Sequence, residues 1–378
     1  MVPCSYPTRP WVEDRIVSSQ GESIILSSVE MSSIVFSDSA VFETSRTING
    51  RSLKMVAKRY TTNHSQNDGM TLLLTHSSHT HKEHWEPTLD CLFAPHADQK
   101  LIRGIREIWS FDWFAHGDSA VANQELLHSN EFIPSTAEWG AAIADFARSR
   151  LASHHLVAIG HSAGASAVLH FANSLGDARQ SFLRSIVLVE PIFFNRDEFA
   201  MFGEAPTDLM IKGIAAQRFQ WDNKRSAFNW FKSRVPWKTW DERVLAVYVN
   251  HGLRPLVADD LFGPVVTKLS KKYESLCFGD VECECHFQAP ELVTALCREV
   301  PIHVIQGVNN RDLVPEPSSK CVTDESRGRF VASHTWVPRA GHMIVQQQPE
   351  GLARALVRVL KGEASGTVTL QEDTRSKL

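Results

Sequence analysis

The sequence lacks a long hydrophobic run, an excess of basic charge and a regular cysteine pattern. No stretch of about eighteen apolar residues occurs, so the sequence predicts no membrane span. The chain has 39 basic and 43 acidic residues, a formal net charge of −4, and no long basic run. This charge balance argues against nucleic acid as a partner.

Cysteine usage also excludes classes of protein. Seven cysteines are spread over 378 residues, and an odd, dispersed number argues against a disulfide framework and for a reducing compartment. The densest group, Cys283-x-Cys285-His286, has no second ligand pair at zinc-finger spacing. The sequence therefore predicts no metal and no cofactor.

The two ends of the sequence carry different signals. The N-terminus has no basic region followed by an apolar stretch, so no secretory signal is expected. The last three residues, Ser376, Lys377 and Leu378, match the address that the peroxisomal import receptor reads. We therefore expect that receptor as a partner, the peroxisome as the location, and a flexible tail over residues 363–378.

Short apolar runs alternate with helical patterns in the first half of the chain. Residues 139–147 and 165–175 have helical character between apolar runs, which lie at residues 70–74, 105–111, 156–159 and 186–189. Such alternation is typical of the α/β class with a mostly parallel sheet flanked by helices. Residues 23–60 alternate apolar and polar groups, and Asn49-Gly50 marks a turn, which predicts antiparallel strands before that sheet.

The pattern changes between residues 193 and 298, where Trp and Phe are dense and strand-like runs disappear. We interpret this range as a mainly helical lid inserted into a core formed by residues 1–192 and 299–362. Within that core, strands resume at residues 302–305 and 333–337. A last amphipathic helix follows at residues 349–361.

The central chemical signal is Gly160-His161-Ser162-Ala163-Gly164, which follows one strand and begins a helix. A serine presented for attack lies on a sharp strand-to-helix turn, where the residues two before and two after must be small. Ser162 is therefore the candidate nucleophile. Its hydroxyl needs a base, and we assign His342, which lies after the last predicted core strand and before the last helix.

Two acids are candidates for the third member of a triad. Glu190 directly follows the run at residues 186–189, and Asp312 lies in the loop after residues 302–305. Either position allows an acid to orient the imidazole and stabilise its protonated form. The triad acid most often follows the later strand, which favours Asp312. Glu190 lies between apolar runs, and a carboxylate buried there needs a partner.

The attacked carbonyl oxygen requires hydrogen-bond donors. We assign the backbone N–H of Ala163 and, from the loop after residues 70–74, the N–H of Ser78. The same loop carries His76, His79 and His81, which we interpret as turn-capping histidines rather than metal ligands.

Together these motifs resemble the α/β-hydrolase superfamily over about residues 50–362. More closely they resemble fungal secondary-metabolite hydrolases of the AK-toxin type, a group that includes the peroxisomal acyl-CoA hydrolase of mycophenolic acid biosynthesis. The matching stretches are Thr75-His76, Lys82-Glu83-His84-Trp85-Glu86-Pro87, Ile159 to Gly164, Val187 to Ile192 and Gly341-His342-Met343.

The resemblance implies an α/β-hydrolase fold and favours Glu190 over Asp312 as the acid, because the acid of that relative follows the strand after the nucleophile helix. Two positions depart from the family pattern. Ser77 stands where the oxyanion loop usually has glycine, and Glu190 stands where the relative has Asp.

The resulting prediction is a serine hydrolase that cleaves a small-molecule ester or acyl-CoA thioester through an acyl-enzyme on Ser162. Two alternatives stay open at this point. One is an acyltransferase or cyclase that uses the same residues, and the other is a catalytically silent binding protein on the hydrolase fold.

Overall fold

The computed structural model of the chain describes residues 36–63, 65–94, 101, 103–129, 135–202, 204–309 and 316–371. The candidate acid Asp312, the terminal residues 376–378 and the predicted strand residues before Phe36 lie outside these ranges. No helix among the described residues is long and apolar enough to cross a membrane.

The described residues contain twelve strands: β1 (Phe36–Ile48), β2 (Arg51–Thr61), β3 (Met70–Thr75), β4 (Ile105–Phe111), β5 (His155–His161), β6 (Leu183–Val189), β7 (Gln220–Trp221), β8 (Leu253–Pro255), β9 (Val265–Thr267), β10 (Ile302–Gly307), β11 (Ser333–Val337) and β12 (Gly366–Thr369). Nine of them form one sheet in the order β1-β2-β4-β3-β5-β6-β10-β11-β12.

Pairing within this sheet is antiparallel only at one edge. Strands β1 and β2 form a hairpin through Asn49 and Gly50, which both have positive φ, and β2 pairs antiparallel with β4. Every further pair, from β4-β3 to β11-β12, is parallel. The predicted hairpin and the mostly parallel sheet are confirmed.

The described helices are α1 (Glu86–Leu92), α2 (Gly117–Ala122), α3 (Gln124–Ser129), α4 (Thr136–Arg150), α5 (Ala163–Ser174), α6 (Arg179–Phe182), α7 (Arg196–Phe202), α8 (Glu204–Ala216), α9 (Lys224–Lys232), α10 (Glu242–Gly252), α11 (Lys271–Leu276), α12 (Asp280–Leu296), α13 (Glu316–Cys321), α14 (Ile344–Gln347) and α15 (Pro349–Leu360). The three predicted core helices correspond to α4, α5 and α15.

Helices cover both faces of the sheet, so its central strands are apolar on both sides. Leu73 contributes to the core that α4, α5 and α12 cover, whereas its neighbours Leu72 and Leu74 contribute to the core under α1 and α15. Alternate residues of one strand therefore serve two separate cores, which explains the continuous apolar runs.

The range 193–298, predicted as a mainly helical lid, combines helices with a few short strands. It contains a small antiparallel sheet, β7-β9-β8, whose strands are only two or three residues long. Strands this short leave no readable alternation in a sequence. Helix α12, near the end of the range, packs against α5 of the central layer. The lid boundaries stay a prediction.

The aromatic residues of this range pack mainly against one another. Their buried members and Met343 share one apolar cluster, which contains Trp221, Phe228, Phe231, Trp240 and Tyr248. The aromatic residues therefore build a small core of their own. This core includes Met343, the residue directly after His342.

The predicted flexible tail also contains structure. Strand β12 extends the sheet by pairing parallel with β11, from Ser333 opposite Gly366 to Trp336 opposite Thr369. Its side chains are mostly exposed, because an edge strand is held by backbone hydrogen bonds and needs no apolar side chains. The polar composition of residues 366–369 therefore did not predict this strand.

Helices α4 and α5 approach so closely that the interface excludes a side chain at Gly140. A Cβ there would lie 2.5 Å from Ala167 O and 2.6 Å from Phe171 N. We predict that Gly140→Ala lowers the free energy of unfolding by about 1–3 kcal/mol through overpacking. Gly213→Ala, on α8 with open space around it, is the matched control and should be neutral or stabilising by up to about 1 kcal/mol.

Urea unfolding followed by circular dichroism measures both variants. Equal unfolding midpoints for Gly140→Ala and Gly213→Ala would contradict the close approach of the two helices.

Candidate active site

Ser162 lies at the junction where β5 ends and α5 begins. Its backbone adopts φ 55° and ψ −117°, a conformation that L-residues adopt only when their surroundings enforce it. A Cβ on Gly160 would collide with the backbone of Gly164, and one on Gly164 would lie 2.6 Å from Thr75 O. The two glycines are therefore required by close backbone contacts around the turn.

His342 reaches this turn from the loop after β11. Its Nε2 lies 3.0 Å from Ser162 Oγ, a distance at which the hydroxyl donates to the ring nitrogen. Both side chains are buried, with 7% of Ser162 and 8% of His342 exposed. The carbonyl of His342 accepts a hydrogen bond from His161 Nε2 at 2.9 Å, so the residue before the serine fixes the backbone of the histidine.

Glu190 supplies a carboxylate on the other side of the imidazole. It directly follows β6, is fully buried, and its Oε2 lies 3.4 Å from His342 Nδ1. Its Oε1 accepts a hydrogen bond from the backbone N–H of Gly307 at the end of β10. Glu190 also has a positive φ of 48°, which turns the chain sharply where the strand ends.

Burial sets the charge state of His342. Desolvation of the ring lowers the pKa of His342 to about 4, and the proximity of His79 adds to this effect. The imidazole is therefore neutral near pH 7. Since Ser162 donates to Nε2, the ring proton lies on Nδ1 and faces Glu190.

The two predicted oxyanion donors belong to the start of α5 and to the loop after β3. Ala163 is the first residue of α5, where the backbone N–H has no partner within the helix. Ser78 lies in the loop after β3, and the end of that strand is tied to the turn because Thr75 Oγ1 donates to Gly164 O at 2.9 Å. Both residues are buried, and their role as donors stays a prediction.

The loop histidines and the cysteine group each have protein partners. His79 Nδ1 lies 2.9 Å from Glu274 Oε1, and His81 Nδ1 lies 2.8 Å from Glu83 Oε2. Cys283, Cys285 and His286 lie on α12, where His286 Nδ1 contacts Ile192 O. Within the described part of the chain, no three His, Cys, Asp or Glu side chains are grouped as a metal site requires.

Sequence reasoning missed a buried charge cluster in the loop that follows β3. Lys82 is fully buried, and its Nζ lies 3.0 Å from Asp112 Oδ2, 2.5 Å from Asp118 Oδ2 and 2.9 Å from Glu83 Oε1. Burial alone lowers the pKa of Lys82, but the three carboxylates outweigh it and hold that pKa well above its ordinary value. The cluster ties the segment after β3 to the segment after β4.

One signal for this cluster is present in the sequence. Asp112 directly follows β4, and Gly117 has a positive φ of 49° against the Asp112 carboxylate. A strand-end aspartate followed by a nearby glycine indicates a loop folded around a carboxylate, but it does not identify a buried lysine as the counter-ion.

Solved structures of several hydrolases share this fold. The peroxisomal α/β-hydrolase Lpx1 from Saccharomyces cerevisiae matches with a TM-score of 0.67 and 17% identity over 87% of this chain and 89% of that chain. A thioesterase domain of the curacin biosynthetic pathway matches with a TM-score of 0.54 and 14% identity over 84% and 99%.

An esterase from Thermogutta terrifontis is similar as well, with a TM-score of 0.53 and 14% identity over 86% of this chain and 99% of that chain. A search of curated proteins finds no match. The model of the alpha/beta hydrolase family matches residues 72–355, a range that includes Ser162, Glu190 and His342. The chain belongs to the alpha/beta hydrolase family.

Proposed function

We propose that the protein is a serine hydrolase that cleaves a carboxylic ester or an acyl thioester through an acyl-enzyme on Ser162. The observation that carries the proposal is the continuous contact from Ser162 Oγ to His342 Nε2 at 3.0 Å and from His342 Nδ1 to Glu190 Oε2 at 3.4 Å. A serine, a neutral imidazole and a buried carboxylate in this order form a nucleophile, its base and the group that orients the base.

In the first half-reaction, Ser162 Oγ attacks the acyl carbon while its proton moves to His342 Nε2. The carbonyl oxygen becomes negatively charged and is stabilised by the N–H groups of Ala163 and Ser78. When the tetrahedral intermediate collapses, the bond to the leaving alcohol or thiol breaks, and that group receives the proton from His342. The acyl group stays on Ser162.

In the second half-reaction, His342 takes a proton from water, and the hydroxide attacks the acyl carbon. Collapse releases the carboxylic acid and returns the proton to Ser162 Oγ. The imidazolium forms twice during the cycle. Because Glu190 is fully buried, its carboxylate interacts with that charge in a poorly solvated environment, where the attraction is strong.

The proposal extends to an acyl-CoA substrate in the peroxisome, within secondary metabolism. Three observations support it: the terminal tripeptide Ser376, Lys377 and Leu378, the fold shared with the peroxisomal hydrolase Lpx1, and the fold shared with a thioesterase domain of a biosynthetic pathway. The import receptor is then the protein partner, and the resemblance to AK-toxin-type hydrolases points to the same substrate class.

We predict that a fluorophosphonate forms one covalent adduct with the wild-type protein and none with Ser162→Ala, as measured by intact-protein mass spectrometry. Wild-type turnover of a panel of short acyl-CoA thioesters and 4-nitrophenyl esters should fall by about 10⁴-fold or more in Ser162→Ala. Product analysis with an added alcohol separates hydrolysis from acyl transfer. An unlabelled, folded wild-type protein would contradict the proposal.

Comparison of the two candidate acids provides a second prediction. Glu190→Gln keeps the shape of the side chain but removes its charge, so kcat should fall by about 10³-fold or more. Asp312→Asn should stay within about tenfold of wild type, since the base already has a carboxylate partner. Steady-state kinetics on one ester measures both. The reverse order of losses would identify Asp312 as the acid.

The pH dependence of activity follows from the pKa of His342. Only the neutral imidazole accepts the serine proton, so kcat/KM falls as the pH drops through that pKa. Because the pKa is lowered to about 4, we predict a constant kcat/KM from about pH 8 to pH 5 and a decline below. An acid limb centred at pH 6.5 or above, with the protein still folded by circular dichroism, would argue against this environment for His342.

A further inference from the structure

The peptide unit between Ser77 and Ser78 is held by three hydrogen bonds on its carbonyl. Ser77 O lies 2.8 Å from His76 Nδ1 and 3.1 Å from both the backbone N–H and the hydroxyl of Thr80. In a planar trans peptide the C=O and N–H point in opposite directions. Fixing the Ser77 carbonyl therefore fixes the direction of the Ser78 N–H.

The contacts of His76 determine where its ring proton lies. Its Nε2 accepts a hydrogen bond from the backbone N–H of Trp113 at 3.1 Å. An N–H group only donates, so Nε2 carries no proton and the imidazole is neutral with its proton on Nδ1. This tautomer is the one that donates to Ser77 O.

His116 holds the next carbonyl along the loop. Its Nε2 lies 2.6 Å from Ser78 O, and since a carbonyl only accepts, the proton lies on Nε2. The peptide units on both sides of the Ser78 Cα are thus each fixed by a histidine. The sequence does not predict the contact between His116 and Ser78, because the two residues are 38 positions apart in the chain.

Aromatic rings keep both imidazoles in place. The His116 ring stacks on Trp113 with centroids 5.0 Å apart and planes 3° apart, and Trp113 stacks on Trp139 at 5.6 Å. His76 contacts Trp139 at 5.0 Å. Burial lowers the pKa of His116 to about 3 and that of His76 well below its ordinary value, so neither ring gains a second proton near neutral pH.

Resting on the hydrolase function proposed above, we propose that His116, together with His76, is a positioning residue that aims the Ser78 N–H at the carbonyl oxygen of the substrate. Neither imidazole needs to touch the substrate. Their effect is to keep two successive peptide units of the loop from rotating, so that a donor is already oriented when negative charge develops on that oxygen.

The test removes the N–H of His116 and keeps its ring. His116→Phe retains a flat ring on Trp113, so the thermal midpoint should change little. We expect kcat for a 4-nitrophenyl ester to fall about 10- to 100-fold, less than the loss on deleting a direct oxyanion donor, with KM within about twofold. The rate of fluorophosphonate labelling of Ser162 should fall by the same factor as kcat.

Two further variants separate positioning from packing. His116→Gln places an N–H near the position of Nε2 and should restore kcat to within about fivefold of wild type, whereas His116→Asn is too short and should stay low. The matched control is His303→Phe, which removes a buried imidazole that contacts Ser333 Oγ at 2.8 Å near the beginning of β10. Its kcat should stay within about twofold of wild type.

A kcat for His116→Phe within twofold of wild type would overturn the inference, as would a loss that Gln does not restore. If His116→Phe does not fold, the Gln and Asn variants decide: a tenfold gap in kcat supports positioning and equal kcat overturns it. A wild-type protein that is neither labelled nor active overturns the proposed function itself, which distinguishes the two failures.

Discussion

The sharp turn at Ser162 is the constraint on which the rest of the site depends. Its backbone is held from both neighbouring strands, because Ser162 N–H donates to Val189 O at 3.0 Å and Thr75 Oγ1 donates to Gly164 O at 2.9 Å. These contacts bring the ends of β3 and β6 to the serine. Since Glu190 and the loop that carries Ser78 directly follow those two strands, the turn also decides where the carboxylate and the oxyanion loop lie.

The buried charged side chains Glu190 and Lys82 each have defined partners. Glu190 has Gly307 N–H and His342, and Lys82 has three carboxylates. Removing one partner from such a network is costly, since a buried charge is left uncompensated. The Lys82 contacts therefore fix the loops after β3 and β4, among them the segment from Asp112 to Asp118, which carries His116.

Local patterns in the sequence were sufficient to predict the central sheet and most of the candidate site. Continuous apolar runs mark strands covered on both faces, and the glycines at 160 and 164 mark a turn whose backbone contacts exclude side chains. Both features can be predicted from sequence because the contacts that require them involve residues close by in the chain or a whole strand of similar residues. The preference for Glu190 came from resemblance, and the structure brings its carboxylate to His342.

Features that depend on distant pairing were not readable in the same way. The three short strands within residues 193–298 and the edge strand β12 form only because a partner strand is presented to them. A lysine has a strong preference for the surface, so nothing local identifies Lys82 as buried. The density of aromatic residues between residues 193 and 298 is visible in the sequence, but their packing on one another, as in Trp221, Phe231 and Tyr248, is not.

Trapping the acyl group during turnover tests the central claim most directly. The protein is mixed with an excess of a 4-nitrophenyl ester, whose good leaving group favours rapid acylation, and is quenched in acid within the first turnovers, digested and mapped by mass spectrometry. The account predicts a mass increase equal to the acyl group on the peptide that contains Ser162, and no increase in Ser162→Ala. Turnover of the ester by Ser162→Ala at the wild-type rate, with no acylated peptide from either protein, would contradict it, because water would then attack the substrate without a covalent intermediate on Ser162.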